Sequence, residues 1–253
     1  MNSTERFSNV VEYYAKYRPH YPVEIIPFFE RETGLNSSSV IADIGSGTGI
    51  STEMFLKKGN TLFAVEPNDK MREFSVANLN KYKKFHSVKG TAENTMLKNS
   101  SVDFILCAQA FHWFDVQKAR REAKRILREN GFIILMWNER KSSNGFLKIY
   151  DDLLRNVSDD YENINHTKFT NENTDVFDIF FGKGNYRLKT FYNEQIMDWK
   201  GFLGRTLSCS YVPGKLHPKF SEMMDGLEEI FHRFCKNGKV KFEYDTKVYF
   251  GKL

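Results

Sequence analysis

Apolar residues come in short blocks along the chain, and their spacing alternates between two kinds. Ser39-Val40-Ile41-Ala42-Asp43-Ile44 is a run of strand length, and Ile50 to Lys58 follows with helical spacing, closed by Gly59. The alternation then repeats. Asn60 to Val65 predicts a strand, Asp69 to Leu79 a helix and Phe85 to Val88 a third strand. Val102 to Ala108 is almost continuously apolar, as a strand buried on both faces requires. Gln117 to Arg128 predicts a helix stopped by Asn130-Gly131, and Phe132 to Trp137 a fifth strand. This rhythm is that of βαβ units. It predicts an α/β fold with a doubly wound parallel sheet and a ligand outside the carboxyl ends of the strands.

Two helices precede this core: Ser8 to Arg18, aromatic and amphipathic up to Pro19, and Pro22 to Glu32, with Gly34 as its stop. Beyond Asn138 the pattern loosens. Lys141 to Asn185 is polar and irregular, with helical pieces near Phe146–Leu154 and Asp175–Phe181. Tyr186 to Tyr192 and Val240 to Phe250 alternate like strands, whereas Trp199 to Leu207 and Leu216 to Cys235 look helical. Two late strands then complete the sheet, and the added helices cover it. No linker or repeat divides the chain, so we expect one domain over residues 1–253. Its parts are an N-terminal helical cover (1–34), a ligand-binding core (35–140), a mixed lid and acceptor region with a late strand (141–239) and the last strand (240–253).

With 253 residues, 41% hydrophobic and 27% charged, the chain can bury a full core without staples. Cys107, Cys209 and Cys235 are few and far apart, which excludes a disulfide scaffold and any Cys-x-x-Cys motif, and makes a reducing compartment the default. Met1 to Arg6 shows no apolar leader, and no apolar run approaches the ~18 residues of a membrane span, so a cytoplasmic protein without a membrane is expected. The net charge of +5 permits anionic partners without calling for nucleic acid. Lys118, Arg120, Arg121, Lys124, Arg125 and Arg128 make one helix strongly basic, which reads as a solvated face. His112 and Asp115 are close in sequence but no further ligands cluster with them, and His20, His86, His166, His217 and His232 are scattered, so no metal is expected.

The chemistry concentrates in Asp43-Ile44-Gly45-Ser46-Gly47-Thr48-Gly49, between the first strand and its helix. Glycines there let the backbone turn sharply against a ligand, and the helix start offers free N–H groups. A dinucleotide fingerprint needs its third glycine at position 50, which is Ile50. Asp43 would sit poorly beside a pyrophosphate but could meet an ammonium group. Glu66 ends the second strand, about 20 residues on, where a carboxylate accepts ribose hydroxyls. The implied ligand has a ribose and a positive group, and no diphosphate.

This turn, followed by Val65-Glu66-Pro67, resembles the class I S-adenosylmethionine-dependent methyltransferases of the type 11-like kind, over roughly Val40 to Asn138. The resemblance implies a Rossmann-like seven-stranded sheet of order 3-2-1-4-5-7-6 with strand 7 antiparallel, a helical lid, and S-adenosyl-L-methionine as cofactor. It implies that Gly45, Ser46 and Gly47, with Thr48 and Gly49, pass under the methionine and ribose portions. Asp43 would reach the amino group, directly or through water, Glu66 the ribose hydroxyls, and Pro67 and Met71 the adenine. Where the family often has an Asp-Ala pair, this chain has Thr91-Ala92-Glu93, and the Thr91 hydroxyl can still accept from an adenine N–H.

Cys107-Ala108-Gln109-Ala110-Phe111-His112-Trp113-Phe114-Asp115 leaves the mouth of the fourth strand. Phe111 and Phe114 read as core, whereas a histidine beside a tryptophan reads as polar chemistry in an apolar wall. Together with Tyr14 to Pro22 and Gly204 to Tyr211, this segment is similar to a branch containing the trans-aconitate methyltransferases. That similarity implies Tyr14, Arg18, Ala108 and Gln109 at the cofactor, His112 and Trp113 as catalytic residues near the methyl group, and Tyr17, Arg205 and Tyr211 at the acceptor. Arg18 and Arg205 could clamp an acceptor carboxylate. A carboxylate acceptor needs no base, whereas a phenol, amine or thiol would call on His112. The expected activity is methyl transfer to a small-molecule acceptor, with no obligate protein partner. RNA or protein methylation, or S-adenosylmethionine binding without catalysis, are the alternatives.

Overall fold

The computed structural model describes residues 11–141, 145–161 and 174–253; the expected helical residues Ser8 to Val10, and His166, lie outside them. Helices α1 (Val11–Tyr17) and α2 (Ile25–Thr33) come first, and Gly34 closes α2 in the left-handed conformation, φ 74°. Then follow β1 (Val40–Ile44), α3 (Ile50–Lys57), β2 (Thr61–Val65), α4 (Asp69–Leu79), β3 (Phe85–Val88), β4 (Val102–Ala108), a single 3-10 turn (Phe111–Trp113), α5 (Val116–Ile126) and β5 (Leu127–Arg140). The last part holds α6 (Gly145–Val157), α7 (Thr174–Phe181), β6 (Tyr186–Met197), α8 (Trp199–Leu207), α9 (Phe220–Phe234) and β7 (Val240–Gly251).

The sheet runs β3-β2-β1-β4-β5-β7-β6, with β7 antiparallel to both neighbours. Alternation along each strand supplies two apolar faces. Ile41, Leu62, Leu106 and Met136 pack under α2, α3 and α4, while Ala42, Ile105, Cys107 and Leu135 pack under α5 and α7. A third core joins α6, α8 and α9 over the ends of β6 and β7 through Tyr150, Phe202, Phe231 and Phe242.

Several boundaries differ from the pattern. Helix α5 ends at Ile126 rather than Arg128, because Leu127 pairs with Val102 and opens β5. Strand β5 continues past Trp137 because Asn138, Glu139 and Arg140 keep the ladder with Thr246, Asp245 and Tyr244. Strand β6 runs past Tyr192 to Met197 because β7 pairs along its whole length. Helix α9 starts at Phe220, beyond Pro218.

The N-terminal cover is docked by close contact. A Cβ built on Gly204 of α8 would lie 2.3 Å from the Tyr17 ring. Gln195 donates to the Tyr17 carbonyl at 3.1 Å and Arg18 to the Ser208 carbonyl at 2.9 Å. Gly204→Val is therefore expected to cost about 1–3 kcal/mol of overpacking and to lift α1. Faster amide exchange confined to residues 11–17 would register it; unchanged exchange would show that α1 is held elsewhere.

Candidate active site

A cavity of about 380 Å³ opens at the carboxyl ends of β1, β2, β4 and β5, within the ~300–1,000 Å³ usual for small-molecule sites. Of the expected site residues, Tyr14, Arg18, Gly45, Ser46, Gly47, Thr48, Glu66, Pro67, Met71, Thr91, Ala92, Glu93, Ala108, Gln109, His112, Trp113, Arg205 and Tyr211 line it. Asp43, Gly49 and Tyr17 do not appear in its lining. Gly49 (φ 90°) packs against α4, where a Cβ would sit 2.5 Å from Leu79 Cδ1. Tyr17 is taken up by Gly204, as above.

The turn is built by backbone bonds to β2. The N–H groups of Gly45 and Ser46 both donate to the Val65 carbonyl, at 2.9 and 3.2 Å. Glu66 ties turn to helix: Oε2 accepts from the Gly47 N–H and Oε1 from the Asn68 N–H, each at 2.8 Å. Each oxygen keeps a second lone pair for a ligand hydroxyl. Burial raises its pKa, and the two N–H donors oppose that shift. Asn68 in turn caps α4 by accepting from the Met71 N–H at 2.9 Å.

Asp43 lies fully buried at the end of β1. Its Oδ2 accepts from the hydroxyls of Ser51 and Thr52, both at 2.7 Å, while Oδ1 has no partner among the described residues. Burial lifts its pKa to about 6, against those two hydrogen bonds. The buried hydroxyls of Ser46 and Thr48 also have none among the described residues. Orphaned polar atoms of this kind cost free energy unless a ligand meets them. A carboxylate oxygen, two hydroxyls and a glycine cradle fit the amino acid and ribose parts of S-adenosylmethionine.

On the opposite wall, Gln109 leaves β4 in a left-handed conformation, φ 57°, with its N–H on the Met136 carbonyl at 2.8 Å. The 3-10 turn follows. Phe111 is buried against Phe180, 4.6 Å between ring centres, which places His112 and Trp113 on the cavity. Trp137 Nε1 donates to His112 Nδ1 at 3.4 Å, and burial pushes the imidazole down to about 4. Glu93 accepts the Asp115 N–H at 2.9 Å, and Thr91 Oγ1 that of Asn94 at 3.2 Å. Arg18 lies 4.7 Å over the Tyr14 ring, so one face of that ring already carries a cation.

The far end of the cavity is rich in guanidinium groups. Arg205 is buried, donating to Tyr244 Oη at 3.4 Å and to Cys209 Sγ at 3.1 Å. Burial alone would raise the Cys209 thiol; Arg18, Arg205 and Arg140 outweigh it and bring it to about 7. The pattern missed Arg140, at the end of β5. It pairs with Asp151 at 2.6 Å and donates to Tyr161 Oη at 3.3 Å and Tyr211 Oη at 3.5 Å. The buried Nε atoms of Arg18 and Arg140 have no partner among the described residues. Tyr21, Asn138, Asp151, Arg155 and Tyr161 also line the cavity without having been singled out. The signal for Arg140 was its place after a buried strand, where polar residues end the apolar run at the sheet's ligand edge.

By contrast, half of the basic residues of the Lys118–Arg128 stretch are paired with carboxylates within the fold. Arg125 forks onto Glu122, Arg128 meets Asp103, Lys118 meets Asp115 and Arg120 binds the Phe180 carbonyl.

Residues 42–135 match the family described as methyltransferase domain. The chain is similar to an uncharacterized methyltransferase of Mycobacterium tuberculosis, 32% identical over 148 residues, a match that spans 58% of this chain and 58% of that protein. It is also similar to a methyltransferase-like protein of Schizosaccharomyces pombe, 26% identical over 252 residues, 96% of this chain and 93% of that one. Among solved structures, a proposed type II methyltransferase from Anaeromyxobacter dehalogenans superposes with a TM-score of 0.69 at 16% identity, over 93% of this chain and 98% of that chain. At that identity the likeness speaks for the fold.

Proposed function

We propose, for a chain that belongs to the class I S-adenosylmethionine-dependent methyltransferases, that it transfers a methyl group from that cofactor to a small anionic acceptor, with a carboxylate oxygen as the receiving atom. The observation that carries the acceptor class is the guanidinium end of the cavity: Arg18, Arg140 and Arg205 line it, and two of their Nε atoms are buried without partners among the described residues. Guanidinium matches a carboxylate bidentately and, unlike a lysine, cannot shed its charge to escape burial.

When bound, S-adenosylmethionine supplies an electrophilic methyl group, which forms a C–O bond to the acceptor while the S–CH3 electron pair returns to sulfur. The protein's part is binding, alignment and exclusion of water. Glu66 and the Gly45–Thr48 turn would hold the ribose side, and Asp43, buried outside the cavity lining, would reach the ammonium directly or through water. The arginines orient the acceptor. A carboxylate becomes a neutral ester with no proton to remove. The pairing of Lys118, Arg125 and Arg128 with neighbouring carboxylates counts against RNA as the acceptor. Among the described residues no helix is long and apolar enough to cross a membrane. The three unpaired cysteines fit a reducing, cytoplasmic setting.

The test is transfer of label from S-adenosylmethionine into a cell extract split into small-molecule, RNA and protein pools. Label in the small-molecule pool is expected; label confined to RNA or protein would overturn the reading. With an acceptor in hand, Arg140→Lys keeps the charge and loses the fork, and is expected to raise the acceptor KM by about tenfold with the cofactor Kd unchanged. An unaltered KM would remove Arg140 from the acceptor site.

A further inference from the structure

The residue that the sequence offers as a general base has its ring set by a neighbour, and the chemistry of that neighbour decides what the ring can do. An indole N–H can only donate. Trp137 Nε1 lies 3.4 Å from His112 Nδ1, so Nδ1 is the accepting nitrogen and the proton of the neutral ring sits on Nε2. Trp137 is in no position to adapt. It is fully buried in β5, edge-on to Phe111, Phe177 and Tyr249 with ring centres about 6 Å apart. His112 itself lines the cavity and lies against Trp113, 4.9 Å between ring centres.

We propose that Trp137 is a positioning residue that holds His112 as the Nε2–H tautomer, so that His112 serves the reaction as a hydrogen-bond donor to the acceptor and not as its base. The inference rests on the proposed methyl transfer for its consequence, but its evidence is independent of turnover. A base must present an unprotonated nitrogen to the proton it removes, and the unprotonated nitrogen of this ring faces an indole N–H. An N–H donor suits an acceptor that arrives already ionised. It can align one oxygen of such an anion while the other meets the arginines. During transfer the acceptor oxygen uses its own lone pair, the S–CH3 pair goes to sulfur, and no proton is left for His112 to take. A phenol or amine acceptor would release a proton that His112 could not accept through Nδ1 without breaking its bond to Trp137.

The surroundings do not favour a charged ring. The titratable groups that line the same cavity include Tyr14 on α1, Arg18 just beyond it, Glu93 before β4, Arg140 on β5 and Asp151 on α6, and Asp115 caps the start of α5. Glu93 and Asp115 are bonded to each other's segment and to the first turn of α5, and Asp151 to Arg140. Burial is what drives the imidazole downward.

The experiment is histidine-selective 15N labelling of the cofactor-free protein, with His112 assigned by the signal lost in a His112→Gln variant. At pH 7 the ring is expected to be neutral with a protonated Nε2 and a bare Nδ1, and to stay neutral to below pH 5. In Trp137→Phe the Nδ1 shift is expected to move toward a tautomer mixture. In the wild-type protein a ring protonated on Nδ1, or an imidazolium at pH 7, would overturn the proposal, as would an Nδ1 shift left unchanged in Trp137→Phe. Kinetics give a second readout. His112→Gln, which retains an N–H donor, is expected to keep at least about a tenth of wild-type kcat/KM, and His112→Ala to fall well below it. A wild-type kcat/KM that drops tenfold per pH unit below pH 6.5, with the drop abolished in His112→Gln, would show a base and sink the inference. Because the tautomer is read without turnover, absence of methyl transfer would count against the proposed function alone.

Discussion

Replacing Gly47 with valine is expected to weaken S-adenosylmethionine binding by about a hundredfold or more in a protein that still folds. Three glycines in the turn have positive φ, and they differ in what a side chain would meet. A Cβ at Gly45 would lie 2.5 Å from Ala110 Cβ, and one at Gly49 would lie 2.5 Å from Leu79 Cδ1. Those two glycines are needed for packing, and side chains there damage the fold itself. Gly47 is different. At φ 56° its Cβ would meet, among the described residues, only Met71 Sδ, 4.0 Å away, and both residues line the cavity. The valine therefore occupies ligand space rather than protein space. It also adds the left-handed strain of an L residue, about 1–2 kcal/mol and more for a β-branched one, at the residue whose N–H holds Glu66 Oε2. Calorimetry with the cofactor and a thermal melt together separate the two effects. Undiminished affinity would mean that the turn does not carry the cofactor.

The core was legible because its signals are local. Val40–Ile44, Val102–Ala108 and the glycines between β1 and α3 each declare themselves within a few residues, and the observed β4 and α4 coincide with the runs that predicted them. The acceptor end was not legible in that way. Arg140 follows Trp137 in a polar stretch that reads as the end of a strand, and only pairing with β7 keeps it in the sheet. Its partners, Asp151, Tyr161 and Tyr211, come from three separate segments, so no spacing announces the cluster. His112 shows the same limit from the other side. Its identity suggested a base, but the bond from Trp137, 25 residues away, fixes which nitrogen holds the proton. A residue type can be read from sequence; the state it is held in belongs to the tertiary structure.

Asp43 is where stability and binding should pull in opposite directions. Its pKa is about 6 in the folded protein against 3.8 for the free side chain. Between those values the folded state binds more protons than the unfolded state, so the cofactor-free protein should lose stability as pH rises from about 4 to about 6, and change no further above that. The shift corresponds to a cost of about 3 kcal/mol for holding the buried carboxylate charged at pH 8. Asp43→Asn removes the charge yet keeps an oxygen for the Ser51 and Thr52 hydroxyls. The variant is therefore expected to be more stable than the parent at pH 8, by up to about 3 kcal/mol, and to have lost the slope between pH 4 and 6. Cofactor binding should move the other way. An ammonium group at Oδ1 favours the ionised carboxylate, so wild-type affinity should rise as pH increases through 6, whereas the asparagine variant should bind at least about tenfold more weakly at pH 8 with no such rise. Melts across pH and cofactor titrations at pH 5 and 8 read both trends. A destabilised variant with unchanged affinity would make Asp43 an anchor for α3 and nothing more. A stabilised variant that has lost the cofactor would show that the carboxylate is kept, against the interest of the fold, for the ligand.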